Sequence, residues 1–182
     1  SLINNLTTYV KQKNLSPSKE ILFKSFIKKG FPTTKDEDWK YTSLKKVVEA
    51  DYVLGSKNMP FDKSKIEKYS LNLKHQIIFC DGRLIDAPKI SGVKITGISD
   101  FECQNDDSTG ELNAALANCG YTISVDKNTI IEKPIEILFF NNTENSFVQY
   151  RNQIQVGENS EIKIVEKIQD LSESSSFANN FT

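Results

Sequence analysis

The sequence has very few of the residues that usually carry chemistry: one histidine and three cysteines among 182 residues. The histidine, His75, follows Lys74 at a predicted strand start, so we predict a surface or packing role for it and no catalytic role. An odd number of cysteines without a CxxC pair argues against a disulfide framework and indicates a reducing compartment. We therefore predict neither a catalytic histidine nor a disulfide framework.

The cysteines are also badly spaced for a metal. Cys80, Cys103 and Cys119 are widely separated along the chain, with no histidine between them, whereas structural zinc ligands are grouped at short spacing. The thiols can still converge in space, but burial as small apolar side chains is favoured. The glycines fit no phosphate-binding GxGxxG or GxxxxGK[ST] pattern. Carboxylates are plentiful but none is marked as a pair. We predict no catalytic, cofactor or metal residue, and a non-enzymatic binding or scaffold module.

Long hydrophobic runs are missing as well. No apolar run approaches the roughly 18 residues of a membrane span, and no signal peptide is visible. Together with the cysteine pattern, this predicts a cytoplasmic protein without a membrane partner. Hydrophobic residues make up 38% of the chain, and several windows are apolar enough to bury, so a core of ordinary size is expected.

Charge is divided unevenly along the chain. Residues 1–74 carry 15 Lys against 8 acidic residues, and residues 75–182 carry 8 basic against 16 acidic residues. A basic half can indicate nucleic-acid binding. Here the lysines alternate with acids at helical spacing and no nucleic-acid motif accompanies them. A solvated helical surface is the favoured interpretation, and no nucleic-acid partner is predicted.

The N-terminal part shows helical periodicity with clear end signals. Apolar residues at 3.6-residue spacing predict a helix from Leu2 to about Lys13. Ser16, with Pro17 at the first helical position, predicts the start of a second helix, and Gly30 predicts its end. A short helix is expected near Ser64–Tyr69, within a stretch from residue 51 to 73 whose signal is weak and suggests a loop.

The stretch from Gly30 to Val48 contains the only tryptophan. Thr34 and Glu37 have capping-box spacing and predict a helix from Lys35 to about Glu49. Trp39 is interpreted as a core residue that locks two helices together. The alternative is that Trp39 and Tyr41 contact a partner or a ligand.

The character of the chain changes at Gln76. A buried-strand pattern at Gln76–Cys80, the turn signal Asp81-Gly82 and a return strand at Arg83–Ile85 predict a β-hairpin. Residues 93–98 predict a further short strand. Glu111–Asn118 predicts a short helix with Gly120 just past its end.

After Gly120 short strands with polar links dominate. The predicted strands are Tyr121–Val125, Thr129–Ile131, Ile135–Phe140, Phe147–Val156 and Glu161–Ile168. This pattern fits a sandwich, a barrel or a β-solenoid. Alternating apolar residues and the turn at residues 156–159 favour the solenoid, although no exact period is visible. Residues 172–176 are expected to form a mobile surface loop. Because a solenoid that stopped at Thr182 would leave an open edge, the sequence is expected to be part of a longer protein.

Several motifs resemble one known family. In chain order they are FPTTKDEDWKYTSL at 31–44, IFCDGR at 78–83, LNAALANCG at 112–120, EKPI at 132–135, RN at 151–152, VGEN at 156–159 and VE at 165–166. Together they resemble the SufD family, scaffold subunits of the SUF iron–sulfur cluster assembly system. The KDEDWKYT run favours SufD over its paralogue SufB.

The resemblance implies a mixed α and β fold. Residues 1–74 would form an N-terminal helical domain, residues 75–120 an α/β connecting segment, and residues 121–182 the first turns of a right-handed parallel β-helix. It also implies pairing with a SufB-like paralogue through the β-helix, and docking of a SufC-like ATPase through a C-terminal domain beyond this chain. A nascent iron–sulfur cluster and ATP would belong to the whole complex. No position here matches the family's cluster-related residues, so none is carried over.

Two alternatives remain from the residues themselves. A β-solenoid that binds or cleaves carbohydrate would need a row of carboxylates or aromatic residues on one face, for which Glu132, Glu136 and Glu161 are the candidates. Asp126 is a further carboxylate in this acidic half. Nucleic-acid binding by the basic half is the weaker alternative, and an absence of binding at low ionic strength would dismiss it.

Overall fold

The computed structural model describes residues 1–55, 60–98 and 107–182. Its α-helices are α1 (Leu2–Lys11), α2 (Pro17–Lys29), α3 (Lys45–Glu49), α4 (Ser64–Tyr69) and α5 (Ser108–Leu116). Its strands are β1 (Val53–Leu54), β2 (His75–Cys80), β3 (Arg83–Asp86), β4 (Val93–Thr96), β5 (Thr122–Val125), β6 (Ile135–Asn141), β7 (Ser146–Arg151), β8 (Gln153–Val156), β9 (Ile164–Asp170) and β10 (Phe177–Phe181). The predicted mixed α and β class is confirmed.

Helices α1 and α2 form where their periodicity and end signals predict them. The Ser16 side chain accepts a hydrogen bond from the Lys19 N–H, and Pro17 occupies the first helical position. Gly30 ends α2 with a φ of 75°, and its N–H donates to the Phe26 carbonyl. Such a positive φ is open to glycine at little steric cost. The predicted helical turn at residues 64–69 is also present as α4.

The predicted helix from Lys35 to Glu49 is wrong. The chain forms only a 3₁₀ turn at Glu37–Trp39 before α3 begins at Lys45. The Asp36 carboxylate accepts hydrogen bonds from the backbone N–H and the hydroxyl of Thr33, at 2.7 and 3.1 Å. These local bonds close a turn between Thr33 and Asp36, and such bonds from short polar side chains compete with helical structure. The proposed Thr34–Glu37 capping box is therefore replaced by a tight turn.

The predicted hairpin is confirmed, with β2 and β3 antiparallel. Asp81 and Gly82 have φ values of 48° and 76°, as a two-residue turn with two left-handed positions requires. The helix predicted at residues 111–118 is present as α5, but Gly120 does not cap it. The helix ends at Leu116, and Gly120 instead packs against the backbone of Arg151.

The strands form three sheets in the orders β1-β7-β10, β3-β2-β6-β9 and β4-β5-β8. From β5 onward, successive strands enter the three sheets in turn and then repeat the cycle. Each strand of the second cycle pairs in parallel with its counterpart in the first. Thr122 pairs with Gln153, Ile135 with Ile164 and Phe147 with Phe177, so the offset along the chain is similar in all three sheets.

Two predictions in this part of the chain need correction. Thr129–Ile131 is not a strand, and only Ile130 forms an isolated bridge, to Glu161. The single strand predicted at Phe147–Val156 is two strands in different sheets, because the chain turns a corner at Asn152. Residues 177–181, for which no strand is predicted, form β10. Residues 172–176 form a hydrogen-bonded corner, in which the Ser174 hydroxyl accepts from the Asn145 N–H.

The three sheets together form a stack of strands, called the strand stack below. Part of the core lies inside this stack and part lies outside it. One cluster fills the space between the sheets and includes Phe79, Phe139 and Tyr150, with the two phenylalanine rings stacked 5.1 Å apart. A second cluster lies between the helices and the outer face of β7 and β10, where Phe147 stacks on Phe177 at 5.0 Å. Helices and strands therefore share a continuous buried interface.

Candidate interaction surfaces

Strands β8, β9 and β10 each stand last in their sheet. Within the described part of the chain, one edge of each has no strand beside it. Strand edges present unpaired backbone N–H and C=O groups that can pair with a further strand. These three strands form one end of the strand stack. At this end Ile168, which is in register with the buried Phe139, is 52% exposed, and Val156 is 48% exposed. The end of the stack thus combines apolar side chains with backbone hydrogen-bonding capacity.

A carboxylate also faces into the stack at this end. Glu166 is in register with the buried Ile137 on the neighbouring strand. The buried Tyr121 hydroxyl donates a hydrogen bond of 2.5 Å to Glu166 Oε1. Burial, and then the neighbouring carboxylate, raise the pKa of Tyr121. The tyrosine therefore stays protonated and serves as a donor that orients Glu166.

Beside the corner at Asn152, a buried polar network joins α5 to the strands. Arg151 Nη1 donates to Asn113 Oδ1 at 3.0 Å. Asn113 Nδ2 in turn donates to the carbonyls of Tyr150 and Asn179, at 2.7 and 3.0 Å. The Arg151 guanidinium also lies 4.8 Å from the centre of the Phe181 ring. Sequence reasoning missed this network, for which the only signs were the family motifs at residues 112–120 and 151–152.

Trp39 and Tyr41 lie outside the buried core, although Phe31 in the same stretch belongs to it. Trp39 is half-buried, so its interpretation as a core residue is wrong. Tyr41 is 92% exposed, and Lys40 Nζ lies 5.5 Å from the centre of its ring. The two aromatic side chains are therefore accessible at least in part, which keeps open a contact with a partner.

The acidic residues proposed for carbohydrate binding do not form an exposed row. Glu136 is fully buried, and its carboxylate accepts hydrogen bonds from the Ser70 hydroxyl and the Leu71 N–H at 2.7 and 2.6 Å. Glu161 forms an ion pair with Lys163 on the surface. Glu132 and Asp126 are exposed outside the strands. The carbohydrate hypothesis loses the arrangement that it required.

Glu136 instead anchors the segment after α4 to strand β6. Burial acts to raise the pKa of this carboxyl, but the hydrogen bonds from Leu71, Ser70 and Gln76 outweigh it and lower the pKa below the ordinary value of 4.5. Hydrogen bonds to the ionised form favour that form. The folded state therefore prefers the carboxylate.

We expect Glu136→Gln to lower the free energy of unfolding by about 2 kcal/mol near neutral pH, because hydrogen bonds to a charged group are lost. The lowered pKa means that the carboxylate stabilises the fold above its ordinary pKa, and that this contribution is lost as pH falls through the folded value. The difference from wild type should shrink below pH 4.5. Urea unfolding at several pH values measures it. Glu132→Gln, at an exposed position, is the control, and a difference that does not change with pH would contradict the assignment.

The described cysteines and the histidine behave as packing residues. Burial raises the pKa of the Cys80 and Cys119 thiols to about 12 in each case, so both remain protonated near neutral pH. Both are free and buried, as predicted. Cys103 lies outside the described residues. His75 begins β2, and burial, with Lys74 and Lys133, lowers its pKa.

Among the residues that the structure describes, no three His, Cys, Asp or Glu side chains are grouped so that they could hold a metal ion. None of the helices in the described ranges has both the length and the apolarity that a membrane crossing needs.

Comparison with known proteins gives a family match and a similar relative. Residues 4–78 match the model of the family described as "SufBD protein N-terminal region". The predicted resemblance is confirmed. Over 176 residues the chain is 24% identical to the "Iron-sulfur cluster assembly protein SufD" of Escherichia coli (strain K12). The alignment covers 89% of this chain and 41% of that relative, so the chain spans about two fifths of the relative's length.

Proposed function

We propose that the chain is part of a non-catalytic scaffold component of an iron–sulfur cluster assembly complex of the SufB–SufC–SufD type. The observation that carries the proposal is the similarity to the SufD relative along 89% of the chain, together with the family match at residues 4–78. The proposed setting is the cytoplasm, with which the free thiols of Cys80 and Cys119 agree. The proposed partners are a SufB-like paralogue and a SufC-like ATPase.

The strand arrangement supports the finer part of the proposal, which is that residues 121–182 begin a right-handed parallel β-helix. Parallel pairing at similar offsets along the chain, with strands entering three sheets in turn, is what successive turns of such a helix require. The corners at Asn128 and Asn159 lie directly over one another, with Asn159 Nδ2 donating to Asn128 Oδ1 at 3.2 Å. Both residues have a positive φ, 57° and 56°. Equivalent corners thus repeat from one turn to the next.

The chemistry of the thiols supports a scaffold without ligands of its own in this region. The ligands of iron–sulfur clusters are thiolates, and the thiols of Cys80 and Cys119 are buried within hydrophobic clusters of the core. We therefore propose no cofactor, catalytic or metal residue in this chain. The nascent cluster and ATP would be held elsewhere in the complex.

Co-expression of the longest natural protein that contains this chain with its SufB-like and SufC-like partners tests the proposal. We expect a stable complex that survives affinity purification and gel filtration. Failure to assemble, with all three proteins folded, would count heavily against a scaffold role. Assembly in which this component is dispensable for cluster formation would point to a different function.

The same assay tests the exposed tyrosine. Tyr41→Ala should change the free energy of unfolding by less than about 0.5 kcal/mol, as is usual for exposed positions. If Tyr41 contacts a partner, the variant should be retained in the complex several-fold less than wild type. Ile21→Ala, at a position that is 68% exposed on α2, is the control. Equal retention of both variants would dismiss the partner contact at Tyr41.

A further inference from the structure

The segment that precedes β2, residues 60–74, packs across the outer face of strands β2 and β6 and is called the strap below. This outer face carries a small buried cluster that is distinct from the other two clusters of the core. Its members alternate along the two strands: Ile78, Cys80, Leu138 and Phe140. Each of them is at most 4% exposed. The residues between them on the two strands face the inside of the strand stack.

The strap supplies much of the cover of this outer cluster. Among the described residues, five partly buried side chains pack against the cluster, and three of them belong to the strap: Phe61, Ile66 and Tyr69. The ring centres of Phe61 and Tyr69 lie 5.2 and 6.2 Å from that of Phe140. Detachment of the strap would therefore open the outer face of β2 and β6 to solvent.

The strap itself is shallow and is attached through side chains. Every residue from 60 to 74 is exposed or half-buried. At one end, the Glu136 carboxylate of β6 accepts the hydrogen bonds from Ser70 and Leu71 described above. Nearby, Lys167 Nζ on β9 donates to the Tyr69 carbonyl. These bonds are not part of the β2–β6 ladder, so the sheet can keep its pairing when the strap detaches.

The two described free cysteines lie in different parts of the core. Cys80 belongs to the outer cluster under the strap, whereas Cys119 belongs to the cluster inside the strand stack. Loss of the strap uncovers the first thiol, but the second becomes accessible when the stack itself opens. Segments with few buried groups open at a lower free energy than the core does. The two thiols can therefore distinguish opening of the strap from unfolding of the stack.

We propose that the strap opens as a unit ahead of the strand stack, and that this opening uncovers the outer face of β2 and β6 together with the Cys80 thiol. In the closed state Cys80 is 0% exposed and packs as a small apolar side chain. In the open state its thiol is available to thiol reagents, while the cluster inside the stack stays intact. The strap thus controls access to this thiol.

Site-resolved alkylation of the longest natural protein that contains this chain tests the proposal. Iodoacetamide is the probe, with which a thiolate forms a carbon–sulfur bond and releases iodide. Peptide mass spectrometry measures Cys80 and Cys119 separately, each relative to the denatured protein. Without urea, we expect Cys80 to react about tenfold faster than Cys119 or more. Its rate should also rise less steeply with urea, because strap opening exposes less surface than unfolding. Equal rates with the same urea dependence would overturn the proposal.

Two substitutions separate strap opening from unfolding of the stack. Ile66→Ala removes a half-buried contact of the strap and should raise the labelling rate of Cys80 by about tenfold. Ile123→Val, inside the stack, weakens the closed and the strap-open states alike. It should raise labelling of Cys119 by about fivefold and leave that of Cys80 unchanged. Glu67→Ala, at an exposed position on α4, is the control. An equal response of both thiols to Ile123→Val, or no response of Cys80 to Ile66→Ala, would refute the strap.

Amide hydrogen exchange identifies the element that opens. The Leu71 N–H donates to the Glu136 carboxylate and is released when the strap detaches. Its opening equilibrium constant should match the one obtained from alkylation of Cys80. If the Leu71 amide exchanges only through global unfolding while Cys80 is labelled rapidly, another element uncovers the thiol and the proposal is wrong.

Discussion

Replacement of Gly120 by alanine is expected to lower the free energy of unfolding by about 4 kcal/mol or to prevent folding, an effect at the upper end for single substitutions. A Cβ at this position would lie 1.9 Å from the Arg151 carbonyl oxygen and 2.7 Å from its carbon. The φ of Gly120 is also +152°, which side chains rarely adopt. Because the obstacle is backbone, no rotamer change relieves the clash.

Substitutions at two other glycines distinguish the steric clash from the backbone strain as the cause of this effect. Gly97 has ordinary φ and no atom within 4 Å of an added Cβ, so Gly97→Ala should be nearly neutral. Gly30 has a φ of +75° but open space, so Gly30→Ala should cost about 1 kcal/mol through backbone strain alone. Thermal and urea unfolding followed by circular dichroism measure all three. If the stability of Gly120→Ala is close to that of wild type, the close approach to Arg151 is not present in solution.

The elements that the sequence predicted well are those with local causes. Helix α2 is capped by Ser16 and by Gly30 because a hydroxyl, a proline and a glycine act within one turn of the helix ends. The β2–β3 hairpin forms because Asp81 and Gly82 accept left-handed backbone angles. Neither needs a distant contact, so both are visible in a single sequence.

Gly120 shows why other predictions failed. After a helical pattern a glycine usually marks a cap, but here contact with Arg151, far along the chain, determines its place. The single helix predicted for residues 35–49 does not form, and the reason is local. Thr33 and Asp36 bond to each other in a turn, and this bonding displaces the predicted cap.

No exact repeat is visible in the sequence because the number of residues between paired positions differs from sheet to sheet. Thr122 on β5 pairs with Gln153 on β8, whereas Ile135 on β6 pairs with Ile164 on β9, which is a shorter offset along the chain. Aligned positions also change in character, since the apolar Ile137 pairs with a glutamate on β9. Asparagines repeated at equivalent corners are the clearest shared signal. The division into residues 1–74, 75–120 and 121–182 stays a prediction.

The buried network around Asn113 is the part of the candidate surfaces that a sequence alone hides most completely. Its partners at Tyr150 and Asn179 are 37 and 66 residues away. Asparagine is usually exposed, yet Asn113 is fully buried, in a helix that packs on β7 and β10. Such a residue is recognised only when helix and strands are seen together.

Asn113→Ala is expected to lower the free energy of unfolding by about 3 kcal/mol, because it removes three hydrogen bonds at once, two of them buried, and each buried group left without a bond costs about 1–3 kcal/mol. The carbonyls of Tyr150 and Asn179 lose their amide donor, and Arg151 loses the Asn113 acceptor. Urea unfolding gives the value. Asn5→Ala, at an exposed position on α1, should remain within about 0.5 kcal/mol of wild type.

The size of the Asn113 effect bears on how helix α5 is joined to strands β7 and β10. Since Asn113 lies on α5, and its carbonyl partners lie on β7 and β10, its loss should weaken the attachment of the helix to the strand stack. Hydrogen exchange should then increase first at the Phe177–Phe181 strand and at α5, before it increases at the β2–β6 pairing. A uniform increase across all sheets would contradict this order, and would mean that Asn113 stabilises the whole fold without a particular role in joining its parts.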